Sequence, residues 1–73
     1  MNADASGPTM VVNGESRAHR PGLKLHALLT ELQVDARAVA VMVGDEVYRP
    51  GKIPNVPLRA GDVIEVVSMM QGG

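Results

Sequence analysis

A single stripe of four leucines is the sequence feature that most constrains the fold of this chain. Leu25, Leu28, Leu29 and Leu32 fall at positions i, i+3, i+4 and i+7, the spacing of one face of an α-helix. This is the only helical periodicity in the 73 residues, and it predicts a helix of about two to three turns. Isolated helices shorter than about 12–15 residues are marginal in water, so the leucine face must pack on a sheet.

A β-hairpin is predicted before the helix. Thr9–Val12 is apolar and rich in β-branched side chains, and Asn13-Gly14 follows directly. The Asn-Gly pair favours a type I′ turn, because both central positions of that turn need a positive φ. Residues 15–19 are then expected to return as an antiparallel strand, closed by Pro21-Gly22. Because this second strand is polar, we expect it near an edge of the sheet.

Three further strands are predicted after the helix. Val39–Val43 is nearly continuously apolar, which favours a central strand covered on much of both faces. The turn at Gly44-Asp45 predicts a short returning strand at Glu46–Tyr48. Residues 63–69, which follow a tight turn at Gly61-Asp62, have the strongest β signal in the chain.

A proline-rich segment separates the second hairpin from the last strand. Pro50, Pro54 and Pro57 lack the N–H that a β-ladder requires, so residues 49–57 are predicted to form a surface loop or a ragged edge. Leu58, which follows this segment, is expected to anchor the chain in the core.

The predicted order is β-hairpin, helix, β-hairpin, proline-rich loop and β-strand. The helical crossover after the first hairpin allows the last strand to pair in parallel beside the first. The result is an α+β fold of the β-grasp (ubiquitin-like) type, a mixed sheet of four to five strands with one helix packed across one face. We expect residues 1–8 to be a disordered lead, 9–69 the β-grasp domain and 70–73 a flexible tail.

Composition excludes several classes of function. A formal charge of -1 leaves no basic field for nucleic acid or an anionic membrane, and the lone aromatic residue, Tyr48, provides no stacking platform. The absence of cysteine removes disulfides, thiolate metal sites and thiol nucleophiles. No segment approaches the roughly 18 apolar residues of a membrane-spanning helix, and the first residues lack a secretory signal pattern. We therefore expect a cytoplasmic protein.

Side chains that carry catalysis or bind metals are sparse. His19 and His26 have no third nitrogen or sulfur ligand with them, so we interpret both as surface or partly packed histidines. Asp45 and Asp62 occupy turns, where a carboxylate has a plain backbone role. No glycine-rich loop precedes the helix in a phosphate-binding pattern. The sequence therefore predicts neither a metal site nor catalytic residues, and nucleotide chemistry is expected from a partner protein.

The C-terminal end is where we expect function. Gly72-Gly73 follows the last strand within a few residues, and Gly73 is expected to present a free terminal carboxylate. Glycine has no Cβ, so two glycines are able to thread a narrow channel into a partner's active site. A carboxylate is a poor acyl group, and its activation needs an acyl-adenylate made from ATP by that partner.

The folded body must also dock on the partner, because ordering such a tail costs roughly 1–2 kcal/mol of backbone entropy per residue. Alternate residues of the last strand point to opposite faces of the sheet. We assign Ile64 and Val66 to the core, which leaves Val63, Val67 and Met69 as an exposed apolar patch for partner docking. The alternative is that these three side chains are incidental apolar surface.

In order and spacing, residues 10–73 resemble the ThiS-type sulfur carriers of bacteria. The late Gly-Asp strand together with a terminal Gly-Gly is fairly specific to ubiquitin-like carriers. The segments that carry the resemblance are Val11-Val12-Asn13-Gly14-Glu15, Leu25-His26-Ala27-Leu28-Leu29-Thr30-Glu31-Leu32, Ala40-Val41-Met42-Val43 with Glu46-Val47, Gly61-Asp62-Val63-Ile64-Glu65-Val66-Val67, and Gly72-Gly73.

The resemblance implies a sulfur carrier protein for thiamine (thiazole) biosynthesis. Such a carrier is a protein cosubstrate and not an enzyme, and this chain is expected to bind no cofactor itself. In that family an E1-like, ThiF-type enzyme uses ATP to adenylate the terminal glycine, which becomes a thiocarboxylate and donates sulfur to thiazole synthase (ThiG type). Carried over, Gly73 is the adenylated and thiolated residue, and Gly72 is the threading glycine.

Two alternatives stay open. A MoaD-like carrier for molybdopterin synthesis uses the same chemistry, although the compact Asn13-Gly14 hairpin favours the ThiS type. A ubiquitin-like protein modifier or a pure interaction module is the alternative from another class.

The chain also departs from the family at Lys24, where a helix-capping Thr is common. The loop at residues 49–54 departs as well, which leaves the downstream acceptor open.

Overall fold

Five strands and one helix make up the described part of the chain. The computed structural model describes residues 7–68. In chain order its elements are β1 (Thr9–Val12), β2 (Glu15–Ala18), α1 (Leu25–Glu31), β3 (Val39–Val43), β4 (Glu46–Tyr48) and β5 (Val63–Ser68). Every predicted element is present, and β2 and α1 each end one residue earlier than predicted. The predictions for the lead and the tail fall mainly on residues 1–6 and 69–73, which lie outside the described residues.

The first hairpin has the turn that its sequence predicts. Asn13 and Gly14 have φ values of 53° and 83°, the positive pair that a type I′ turn requires. β1 and β2 pair antiparallel from Thr9↔Ala18 to Val12↔Glu15. β2 is an edge strand whose side chains are exposed or half-buried, in agreement with its polar sequence.

The leucine stripe packs α1 against one face of the sheet. Leu25, Leu28 and Leu29 are buried, and Leu32, the C-cap residue, packs against the same core. With 7 residues the helix makes only about two turns, so tertiary packing and not intrinsic propensity keeps it helical.

The start of α1 is capped by a residue from a distant loop. Lys24 is the N-cap residue, has an extended backbone and makes no side-chain capping bond, as its side chain predicts. The amide oxygen Oδ1 of Asn55 accepts a hydrogen bond from the His26 N–H at 2.9 Å. Asn55 therefore satisfies one of the free N–H groups that a Thr at the N-cap position normally satisfies.

The sheet is mixed, with the strand order β2-β1-β5-β3-β4. β5 runs parallel to β1, with the pairs Val11↔Val63 and Val12↔Ile64, and antiparallel to β3. This confirms the predicted crossover, in which the helix between the two hairpins brings the last strand beside the first. The parallel pair places the C-terminal end of β5 near the β1–β2 turn.

β3 lies inside the sheet, between β5 and β4, which confirms its predicted central position. The prediction that β3 is covered on much of both faces is wrong. Val39 and Val41 are buried, whereas Met42, which points to the other face, is 39% exposed. One helix covers only one face of a five-stranded sheet, so apolar side chains of β3 remain on the open face.

The core lies between α1 and the inner face of the sheet, and the proline-rich loop closes it at one end. Ile53 and Leu58 are both buried, Leu58 as predicted and Ile53 as an addition. The Leu58 N–H donates to the Leu23 carbonyl at 2.9 Å, which ties the end of the loop to the start of the helical segment. The buried core side chains are Met10, Val12, Leu23, Leu25, Leu28, Leu29, Val39, Val41, Ile53, Leu58 and Ile64.

Candidate functional site

β5 divides its apolar side chains between the two faces of the sheet as its alternation predicts. Ile64 is fully buried and Val66 packs against the core. Val63 and Val67 are 48% and 49% exposed on the other face. Met69, the third residue of the predicted docking patch, lies outside the described residues. The exposure of Val63 and Val67 makes them accessible to a partner, and their docking role stays a prediction.

Two neighbouring strands add apolar side chains that the sequence pattern does not single out. Met42 on β3 pairs with Glu65 on β5 and with Val47 on β4, so these side chains share the open face of the sheet. Val47 is 63% exposed and Met42 is 39% exposed. We call Val63, Val67, Met42 and Val47 together the sheet-face patch. Three adjacent strands contribute to it, β5, β3 and β4, and β3 is the middle one.

Glu65 places a carboxylate inside the sheet-face patch. It lies between Val63 and Val67 on the same face of β5, opposite Met42, and is half-buried. A partner surface that covers the patch must pair this carboxylate or leave it hydrated, because burying an unpaired charge is costly. The patch therefore favours a partner surface that is largely apolar and offers a cation or hydrogen-bond donor to Glu65.

The segment that carries Gly72 and Gly73 follows β5. Ser68 is the last described residue, so both glycines lie outside the described residues, and their assigned roles stay predictions. Asn13 contacts β5 near this end, because its Oδ1 accepts a hydrogen bond from the Val66 N–H at 2.8 Å. The sequence pattern marks Asn13 only as a turn residue, and no local signal indicates this contact.

Both histidine side chains donate hydrogen bonds to backbone carbonyls in or directly after the proline-rich loop. The His19 Nε2–H donates to the Leu58 carbonyl at 2.7 Å, and the His26 Nε2–H donates to the Ile53 carbonyl at 2.6 Å. Both bonds are partly buried, in agreement with the interpretation of partly packed histidines. Within residues 7–68, no group of three or more His, Asp or Glu side chains is placed to hold a metal ion.

The two acidic residues predicted at turns, Asp62 and Asp45, both lie at turns of the structure. The Asp62 carboxylate accepts a hydrogen bond from the Arg59 N–H at 2.8 Å, which closes the turn before β5. Asp45 is exposed in the turn between β3 and β4.

In the part of the chain that the structure describes, no helix is long and apolar enough to cross a membrane.

Ion pairs on the surface lower the pKa values of two carboxylates. Glu31, at the end of α1, accepts a hydrogen bond from Arg20 and lies 3.6 Å from the guanidinium of Arg17. The Arg20 hydrogen bond is the main reason why the pKa of Glu31 lies below its ordinary value of 4.5. A hydrogen bond from Arg37 likewise lowers the pKa of Asp35. These pairs are solvent-exposed, so they add little to stability.

The fold and the open apolar face define a class of protein. A mixed five-stranded sheet with one helix across one face, whose last strand runs parallel beside the first, is the β-grasp fold. The family model described as "ThiS family" matches residues 10–73, which is nearly the whole chain. The chain belongs to the ThiS family, which confirms the resemblance drawn from its motifs.

Two curated proteins illustrate this similarity. The sulfur carrier protein ThiS of Thermus thermophilus is 44% identical over 62 residues, which are 85% of this chain and 95% of that protein. The thiazole synthase of Paramagnetospirillum magneticum is 38% identical over 64 residues, which are 88% of this chain and 20% of that protein. The first relative is similar over almost its entire length, whereas this chain spans a fifth of the second.

Proposed function

We propose that this chain is a sulfur carrier of thiamine (thiazole) biosynthesis, a protein cosubstrate on which partner enzymes act. The observation that carries the proposal is the 44% identity to a sulfur carrier protein ThiS over 95% of that protein. The described structure supports it with a β-grasp body whose last strand leads into the segment that contains Gly72-Gly73.

Gly73 is the reacting residue in this proposal. One oxygen of its terminal carboxylate attacks the α-phosphorus of ATP held by an E1-like, ThiF-type enzyme, and pyrophosphate leaves. A sulfide nucleophile then attacks the acyl carbon, the bond between that carbon and the AMP oxygen breaks, and AMP leaves. The product is a thiocarboxylate on Gly73. Adenylation is required because AMP leaves readily from an acyl carbon, whereas oxide does not.

Gly72 and the sheet-face patch have different tasks in this scheme. Gly72 lets the chain pass through a narrow channel, because no side chain obstructs it. The sheet-face patch supplies binding energy that offsets the entropy lost when the tail is ordered, roughly 1–2 kcal/mol per residue. Binding and reaction are therefore divided between the folded body, which docks, and the tail, which reacts.

Thiazole synthase is the proposed acceptor of the sulfur. The thiazole synthase of Paramagnetospirillum magneticum carries, within one polypeptide, a segment similar to this chain. Two functions joined in one polypeptide in one organism favour a partnership between the corresponding separate proteins. The same observation favours the thiazole pathway over molybdopterin synthesis by a MoaD-like carrier.

Exchange of labelled pyrophosphate into ATP tests the adenylation step. The purified chain is mixed with the ThiF-type enzyme of its own organism, with ATP and with labelled pyrophosphate. We expect exchange that requires the chain and is lost when Gly73 is deleted, because the deletion withdraws the carboxylate from its site. Exchange that is equally fast without Gly73 contradicts the proposal.

A second experiment identifies the protein that accepts the sulfur and distinguishes the proposed function from the two alternatives. Thiocarboxylated carrier is mixed in parallel with thiazole synthase and with molybdopterin synthase, and loss of sulfur from the carrier is followed by mass spectrometry. We expect thiazole synthase to consume the sulfur. Sulfur transfer only in the molybdopterin reaction supports the MoaD-like alternative, and isopeptide conjugates on lysines of other proteins support a modifier.

A further inference from the structure

Asn13 has a second role beside the turn that it forms. Its backbone, with a φ of 53°, belongs to the β1–β2 turn. Its side-chain oxygen Oδ1 accepts a hydrogen bond from the Val66 N–H at 2.8 Å, across 53 residues of sequence. The turn does not need this contact, because Gly at the same position also adopts a positive φ.

The side chain of Asn13 continues a β-ladder that the backbone of β1 cannot continue. The parallel pairing of β1 with β5 ends at Val12↔Ile64, and the Asn13 N–H still donates to the Ile64 carbonyl at 2.9 Å. The chain then turns away into β2, which removes the backbone carbonyls of β1 from β5. The amide oxygen of Asn13 provides the next acceptor in the row, at Val66.

The C-terminal end of β5 is therefore bonded differently on its two sides. On one side β3 pairs with it as far as Val39↔Ser68. On the other side, among the described residues, the Asn13 side chain bonds to it beyond the end of the β1 pairing. A strand that is paired along one edge alone twists about that edge, and a bond on the other edge limits this motion. Residues 69–73 follow directly.

We propose that Asn13 is a positioning residue for the reaction at the tail. Its hydrogen bond to Val66 holds the C-terminal end of β5, to which residues 69–73 are attached, and this increases the fraction of docked carriers whose Gly73 reaches the partner's ATP. This role rests on the proposed function and deepens it. It is separate from docking, because Asn13 is not part of the sheet-face patch.

Two substitutions separate the side-chain bond from the turn. Asn13→Gly removes the acceptor and keeps the positive φ, and Asn13→Asp keeps both an acceptor and a tolerance for that φ. The net value of one hydrogen bond corresponds to about a 2- to 12-fold change in an equilibrium constant. We expect kcat/KM for adenylation to fall by about this factor in Asn13→Gly and to recover in Asn13→Asp.

Asn55→Ala is the matched control for a purely structural effect. Asn55 also accepts a backbone hydrogen bond through its side chain, from His26 at 2.9 Å, but at the start of α1. We expect this substitution to lower the unfolding temperature and to leave kcat/KM of the folded carrier unchanged. The Val66 amide provides a readout independent of catalysis, because its hydrogen exchange must become faster in Asn13→Gly and not in Asn55→Ala.

Docking is measured separately, with carriers that lack residues 70–73. Their Kd for the ThiF-type enzyme is expected to be the same with Asn13 and with Asn13→Gly, because the sheet-face patch is unchanged. A wild-type carrier that is not adenylated at all overturns the proposed function, and the role of Asn13 with it. If the wild type is adenylated and Asn13→Gly has the same kcat/KM, only the positioning role is overturned. An equal fall for Asn55→Ala also overturns that role.

Discussion

Replacing Val63 and Val67 together by serine probes the sheet-face patch most directly. Complete burial of a valine side chain is worth about 1.5–3 kcal/mol. The two side chains are 48% and 49% exposed, so about half of that value, roughly 0.7–1.5 kcal/mol each, is still available for docking. The double variant should therefore lose roughly 1.5–3 kcal/mol of binding free energy, which corresponds to roughly a 10- to 160-fold higher Kd for the ThiF-type enzyme.

Isothermal titration calorimetry with the ThiF-type enzyme measures this change in Kd. Ala27→Ser is the matched control, because Ala27 is exposed on α1, which covers the opposite face of the sheet, and the Kd of this variant should stay at the wild-type value. Circular dichroism at the assay temperature checks that the double variant is folded, since about half of each valine is already packed. A folded double variant whose Kd rises by less than about threefold refutes the reasoning, because the partner then docks on another surface.

Three further predictions concern stability. Leu28→Ala removes a fully buried side chain, so urea unfolding should show that the free energy of unfolding falls by about 2–5 kcal/mol. The fall should be smaller for Leu32→Ala, because Leu32 is half-buried, and equal falls for the two variants contradict the described packing. Asn55→Ala should cost about 0.5–2 kcal/mol as the loss of a helix cap, and an unchanged unfolding temperature contradicts the capping role. Because the Arg20 hydrogen bond lowers the pKa of Glu31 in the folded state, the stability that this pair adds is present above pH 4.5 and is lost as the pH falls through the folded-state pKa. Because such an exposed pair adds little to stability, Glu31→Gln should flatten the acid side of the stability profile only slightly, and a profile that becomes steeper counts against the pairing.

Most elements of the fold could be predicted from short-range patterns in the sequence. The Asn13-Gly14 turn, the leucine spacing and the alternation in β5 each depend on residues within a few positions of one another. Each of them is confirmed: the turn by its φ values, the helix by its buried face, and β5 by the burial of Ile64 beside the exposure of Val63 and Val67. These features need no knowledge of distant partners, so a single sequence is sufficient for them.

Contacts between distant parts of the chain could not be predicted in the same way. Asn13 and Val66 are 53 residues apart, and Asn55 and His26 are 29 apart, so both contacts depend on how whole elements pack. A short polar side chain has the same local signature whether it bonds its own turn or a distant strand. Sequence reasoning therefore identified the turn formed by Asn13 and missed its bond to β5.

The extent of the sheet-face patch depends on strand register and on the order of strands in the sheet. Val47 joins Met42 on the open face because β3 and β4 pair at Met42↔Val47. Continuous hydrophobicity in β3 favours burial of both faces, and it does not reveal that one short helix leaves the other face open. The same physical fact explains both the exposed face of β3 and the patch itself, since a small domain with one helix keeps an apolar sheet face exposed.

The mass of the intact chain after incubation with the ThiF-type enzyme, ATP and sulfide is the most direct test of the central claim. The proposed chemistry predicts a gain equal to the replacement of one oxygen by one sulfur, located by fragmentation at Gly73 and lost when Gly73 is deleted. A wild-type chain whose mass stays unchanged contradicts the claim that this chain carries sulfur, provided that the same enzyme releases pyrophosphate from ATP in its presence. Sulfur found on any other residue contradicts the claim that Gly73 carries it.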